Sequence, residues 1–197
     1  MERKNGLINL ISGDDALQAI DIVRQMADEN DIDWAVCGGI AMAIYGSPRL
    51  TKDVDIIASK RLPLEKERII GHLKQGGEHF IVETATREVP IDWILRNDDF
   101  KACYRAALKD AVMIDKIPIL TPEWLVILKF IAGRFKDQED AVYLLREKDL
   151  VNRDKIRELI TKVFGANAWL LAKSGYQSWF DSADGNIERA GDGLRDS

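Results

Sequence analysis

Two aspartates, Asp53 and Asp55, flank a single valine in the segment TKDVDI. On a β-strand alternate side chains share a face, so both carboxylates would point one way while Val54 and Ile56 turn into the core. Carboxylates that close repel and raise each other's pKa unless a cation lies between them. A divalent metal is the economical explanation, and an all-oxygen donor set favours Mg²⁺ or Mn²⁺ over zinc. Asp92, isolated among apolar residues in VPIDWIL, is the natural third carboxylate, because an aspartate there is costly unless it meets a metal, a partner or solvent. Glu83 and Glu88 stand in reserve nearby. The pair Gly38-Gly39, at a turn from strand to helix, is followed by thirteen residues and then Asp53. Glycine lets a backbone approach a phosphate closely, and free amides at a helix start attract anions. A phosphate cradle ahead of a carboxylate pair suits nucleoside triphosphate chemistry, in which metals bridge the phosphates and activate an attacking hydroxyl. Each piece also has a plain structural reading: a solvated strand edge for the aspartates, turn packing for the glycines.

Several elements must position these residues. A helix over about Asp14 to Asn30 is predicted, capped by Ser12 or Asp14, with Leu17, Ile20, Val23 and Met26 at helical spacing. DWAVCG reads as a buried strand ended by the glycine pair, and IAMAIYG as a short helix stopped by Gly46 and Pro48. DVDIIA is a strand. RLPLEKERIIGHLKQGG reads as a helix, with Pro63 in its first turn and a glycine stop at Gly76 and Gly77. HFIVET and EVPIDWIL are strands, DDFKACYRAAL is a helix, and AVMIDKIPIL supplies one or two short strands. From Thr121, a cap residue followed by Pro122 and Glu123, only helical patterns continue. The expected organisation is an α/β core over 1–120, a helical region over 121–183 and a polar, frayed tail over 184–197. The fold class is α+β: a small mixed sheet flanked by helices, followed by a helical bundle.

Bulk properties narrow the class. The 197 residues are 46% hydrophobic and 31% charged, with a formal net charge of -5, so the global balance does not announce a nucleic-acid binder. Cys37 and Cys103 lack metal-ligand spacing and read as buried free thiols. The longest apolar run, WLVILKFIAG, contains Lys129 and falls short of a membrane span. With no signal-like segment, a cytoplasmic location and no membrane partner are expected.

The stretch Cys37-Gly38-Gly39, a thirteen-residue gap, and Asp53-Val54-Asp55-Ile56 resembles the motif of the polymerase-beta-type nucleotidyltransferase superfamily. GGIAMAIYGSPRLTKDVDI looks like the variant of small prokaryotic members, the AbiEii-type toxins among them. LTPEWLVILKFIAGRFKDQEDAVYLL is similar to that family's helical segment, and places Lys129, Arg134, Lys136, Asp137 and Asp140 at its charged positions. The resemblance implies that Asp53, Asp55 and Asp92 hold the metals and that Asp92 activates the acceptor. It implies that Gly38, Gly39, Arg49, Thr51, Lys129 and Lys136 bind the nucleotide. It further implies an NTP substrate, an RNA or protein acceptor and a cognate antitoxin. On the residues alone, Arg49 serves equally as a surface salt bridge, Lys129 as a snorkelling side chain, and the Arg134-to-Asp140 cluster as helix ion pairs. His72 and His79 fit no motif and read as surface or packing residues. Two other readings stay open: an antibiotic-modifying nucleotidyltransferase, and a non-catalytic nucleotide- or partner-binding module.

Overall fold

Residues 10–185 are described by the computed structural model. They divide into two compact units between Thr121 and Pro122. The first unit carries a seven-stranded mixed sheet of β1 (Trp34–Val36), β2 (Val54–Ala58), β3 (Ile69–His72), β4 (Gly77–Glu83), β5 (Glu88–Ile94), β6 (Val112–Ile114) and β7 (Ile117–Ile119). Their spatial order is β3-β4-β5-β2-β1-β7-β6. β2 is parallel to β5 and β1 to β7, and the other neighbours are antiparallel. Helices α1 (Gly13–Asp28), α2 (Gly38–Ile44) and α3 (Lys101–Lys109) belong to this unit. The second unit is helical: α4 (Pro122–Ala132), α5 (Phe135–Arg146), α6 (Arg153–Phe164) and α7 (Ala166–Asp184). A mixed sheet followed by helices alone is the α+β class expected. None of the described helices is long and apolar enough to cross a membrane.

The central strands are where the apolar runs lie. All three residues of β1 are buried, and Val54, Ile56, Ile91 and Trp93 are fully enclosed between sheet and helices. α1 starts at Ser12, whose hydroxyl accepts from the Asp15 amide at 3.1 Å, and Ile20, Val23 and Ala27 bury its apolar stripe. Asp15 is itself buried. It accepts from the hydroxyls of Ser12, Thr84 and Thr86, which ties α1 to the β4–β5 turn. The Ser12 hydrogen bond, foremost among these contacts, holds the Asp15 carboxyl below its ordinary pKa.

Three expectations need correction. The segment 61–77 is not a helix: it holds one 3₁₀ turn at Lys66–Arg68, then β3, then a tight turn into β4. Gly76 and Gly77 take φ of +102° and +112°, and a Cβ on them would meet the Leu95 and Trp93 carbonyls at 2.2 and 2.0 Å. These glycines therefore make a strand turn against β5 and not a helix stop, and pairing with β4 overrides the helical propensity of the LEKER run. Second, Thr121 precedes α4, but its hydroxyl is buried with no hydrogen-bond partner, so it caps nothing. Third, the glycine pair lies inside α2 and not ahead of it. α7 runs through Asp184 to a left-handed Gly185, and residues 186–197 of the tail expected over 184–197 lie outside the described residues.

Candidate active site

β2 and β5 set the site. Their parallel register places Asp55 directly beside Asp92, and the β4–β5 hairpin places His79 directly beside Asp92 on the other side. Paired residues of a sheet share a face. One row across three strands therefore reads His79, Asp92, Asp55. His79 Nδ1 and Asp92 Oδ1 lie 2.5 Å apart, and both side chains are partly exposed. Trp93, one residue on, points to the opposite face and is fully buried, with Nε1 donating to the Lys60 carbonyl at 2.9 Å.

Asp53 lies just before β2. Like Asp55 it is half-buried, whereas Val54 and Ile56 are enclosed, which is the alternation the sequence predicts. Thr51 Oγ1 donates to Asp53 Oδ1 at 2.9 Å and to the Asp53 carbonyl at 3.2 Å. Thr51 thus orders the approach to the strand. Arg49 is half-buried in the same approach, and its amide donates to Ser47 Oγ at 3.4 Å.

The glycine pair closes on these carboxylates. Gly38 takes φ +56°, and a Cβ on it would stand 1.8 Å from Asp55 Oδ2. The Gly39 amide donates to the same oxygen at 3.4 Å, and a Cβ on Gly39 would strike Thr51 Cβ and Oγ1 at 2.7 Å. Backbone therefore touches the reactive row where any larger residue would displace it. Gly38→Ala should destabilise the fold by about 1–3 kcal/mol, from backbone strain plus displacement of Asp55. Chemical denaturation beside Gly13→Ala, which has open space around it, checks this.

Other sequence candidates lie elsewhere. Glu83 and Glu88 pair with each other at the exposed end of the hairpin, four residues along β5 from Asp92, or about 13 Å. Lys129 and Lys136 belong to the second unit. Lys136 is exposed in the first turn of α5. Lys129 is buried; its Nζ lies 2.6 Å from Asp140 Oδ2 and 3.7 Å from Asp137 Oδ1. Asp137 also accepts from Arg134 Nε at 2.6 Å. Cys103 is fully buried, and burial pushes its thiol up to about 12, which removes it as a nucleophile at neutral pH. His79 is the functional candidate that sequence reading set aside.

Among the described residues, no three His, Cys, Asp or Glu side chains close on a common point as a metal site would. The donor set nonetheless fits a hard divalent cation in kind, since Asp53, Asp55 and Asp92 offer only carboxylate oxygens. Thr51 engages Asp53 Oδ1 and His79 engages Asp92 Oδ1, one oxygen of each carboxylate.

No family model and no curated protein matches the chain. Solved structures similar to it include an antigenic nucleotidyltransferase-like protein from Paracoccidioides brasiliensis, 19% identical, with TM-score 0.49 over 88% of this chain and 95% of that one. The antibiotic-resistance factor ANT(2'')-Ia in solution is 14% identical, with TM-score 0.35 over 87% of this chain and 97% of that one. A crystal structure of ANT(2'')-Ia with adenylyl-2''-tobramycin is 14% identical, with TM-score 0.34 over 81% of this chain and 97% of that one. These likenesses are low, and the chemistry of the site rests on its own residues.

Proposed function

We propose that the chain is a metal-dependent nucleotidyltransferase that moves a nucleoside monophosphate from an NTP to a hydroxyl acceptor. The observation that carries this reading is the in-register pair Asp55 and Asp92, with Gly38 pressed on the Asp55 carboxylate. Two half-buried carboxylates on neighbouring strands are an unfavourable arrangement without a cation. Asp53, Asp55 and Asp92 would hold Mg²⁺ or Mn²⁺, which supplies charge neutralisation on the triphosphate. Asp92 accepts the proton of the acceptor hydroxyl, and His79 orients Asp92 through Nδ1. The acceptor oxygen forms a bond to the α-phosphorus as the bond to the bridging oxygen breaks and pyrophosphate leaves. The acceptor in this proposal is an RNA end, such as that of tRNA, or a protein side chain. The protein would act in the cytoplasm as the toxin of a pair with a cognate antitoxin.

The test incubates the protein with each α-³²P-labelled NTP, Mg²⁺ and total cellular RNA, beside Asp53→Asn. Label in RNA that vanishes in the variant supports the reading and names the base. Label on protein alone points to a protein target. No label with RNA, protein or an aminoglycoside panel as acceptor would overturn nucleotidyl transfer.

A further inference from the structure

A second feature shares the sheet face of the carboxylate row. Two residues along the strands, the next row on that face is Gly77, Ile94 and Ile57, about 7 Å beyond His79, Asp92 and Asp55. Those residues floor a cavity of about 390 Å³ that α3 helps to wall. Lys60, Arg61, Arg96, Lys101 and Arg105 all line it, and no aspartate or glutamate does. In a chain with net charge -5, that is a strong local reversal of sign.

The cations are not equivalent. Lys60, Arg61 and Arg96 are steadied by acids outside the cavity lining: Asp31 at 3.6 Å, Glu78 at 3.4 Å and Asp98 at 2.8 Å. Arg96 also lies over the Phe100 and Tyr104 rings, its guanidinium carbon 5.3 and 4.9 Å from their centroids. Stacking fixes the plane of the guanidinium; its Nε and Nη2 are held by the two Asp98 oxygens at 2.9 and 2.8 Å, so a ligand would meet it through Nη1. Lys101 and Arg105, one helical turn apart on α3, have no carboxylate partner among the described residues. The cavity thus holds one pre-oriented arginine and, at its solvent-exposed rim, two cations without a carboxylate partner among the described residues, around a volume of small-molecule size. Like charges gathered this way repel, and a bound anion relieves the repulsion.

We propose that this cavity binds a small ligand bearing a phosphate ester, of mononucleotide size, with Arg96, Lys101 and Arg105 as its phosphate contacts. The assignment is independent of the transfer reaction: the cavity contains none of Asp53, Asp55 or Asp92, and it needs no metal.

Calorimetric titration of the full chain with adenosine 5′-monophosphate in EDTA tests it. Adenosine and a short oligouridylate serve as comparison ligands. The expected result is saturable binding of the monophosphate, little binding of adenosine, and affinity weakened about tenfold or more in Lys101→Glu/Arg105→Glu. Lys109→Glu, on α3 but outside the cavity, and Asp55→Asn should bind as the parent does. Thermal melts verify that each variant is folded. Failure of the monophosphate to bind, equal binding of adenosine, or insensitivity to the double variant would overturn the proposal. So would binding of the oligonucleotide alone, or loss of binding in Asp55→Asn.

Discussion

Asp55→Asn should abolish nucleotidyl transfer, lowering turnover on the order of 10³-fold, while leaving the melting temperature unchanged or raised. The two halves of that expectation come from the same geometry. Asp55 stands beside Asp92 in the β2–β5 register, and like charges paired across strands repel, with His79 meeting Asp92 on its other side. Asparagine removes the charge but keeps an oxygen to accept the Gly39 amide, now bonded to Asp55 Oδ2 at 3.4 Å, and it fits the space beside Gly38. Repulsion falls and packing stays. A carboxylate kept for structure would behave in the opposite way, since its removal costs stability and spares turnover. Loss of activity with retained stability marks a residue placed for chemistry at the expense of the fold. Paired single-turnover assays and calorimetric melts of parent and variant decide it. A melting temperature that drops by many degrees, with turnover reduced only in proportion to unfolding, would make Asp55 structural.

Much of this site was legible before the structure. The alternation around Val54 and Ile56 carried the shared face of Asp53 and Asp55, whereas the glycine pair was read as an approach to phosphate and stands against the Asp55 carboxylate. His79 could have been found by register alone. The turn at 84–87 sets Glu83 opposite Glu88, and each step back along β4 is one step forward along β5, which brings His79 opposite Asp92. The partnership of Asp55 with Asp92 was not legible, because a parallel pair joined by a long connection has no local signal for its register. β3 was misread for a related reason. The helix-forming LEKER run just before it carried the helical reading through IIGH, whose β-branched residues pair with β4. The cationic cavity was hidden because its residues come from separate stretches, Lys60-Arg61, Arg96 and Lys101 to Arg105, that only the fold assembles.

In the second unit, Lys129→Met should be the most destabilising single change, by about 3–5 kcal/mol. Lys129 is 6% exposed on a helix otherwise buried through Leu128, and its ammonium is held between Asp140 and Asp137. Methionine matches the stem in length and removes only the charge, so the variant leaves the Asp140 carboxylate enclosed without its closest cation. Asp137 retains Arg134, at 2.6 Å from Nε, and suffers less. The double variant Lys129→Met/Asp140→Leu should recover a large part of the loss, since it removes the Asp140 charge together with the cation closest to it. Burial alone would raise the Asp137 pKa. The Arg134 hydrogen bond and the Lys129 charge outweigh it and hold the carboxyl below its ordinary value of 3.8. A depressed native pKa contributes stability that is present above the unfolded value and lost as pH falls through the native one. This part of the parent's stability is therefore full at neutral pH and fades only in acid below 3.8. Urea unfolding at pH 7, with hydrogen exchange along α4 and α5 to localise the effect, measures the loss. A Lys129→Met variant as stable as the parent would show that the ammonium is not committed to these carboxylates, and would return Lys129 to the nucleotide-binding role its sequence position suggests.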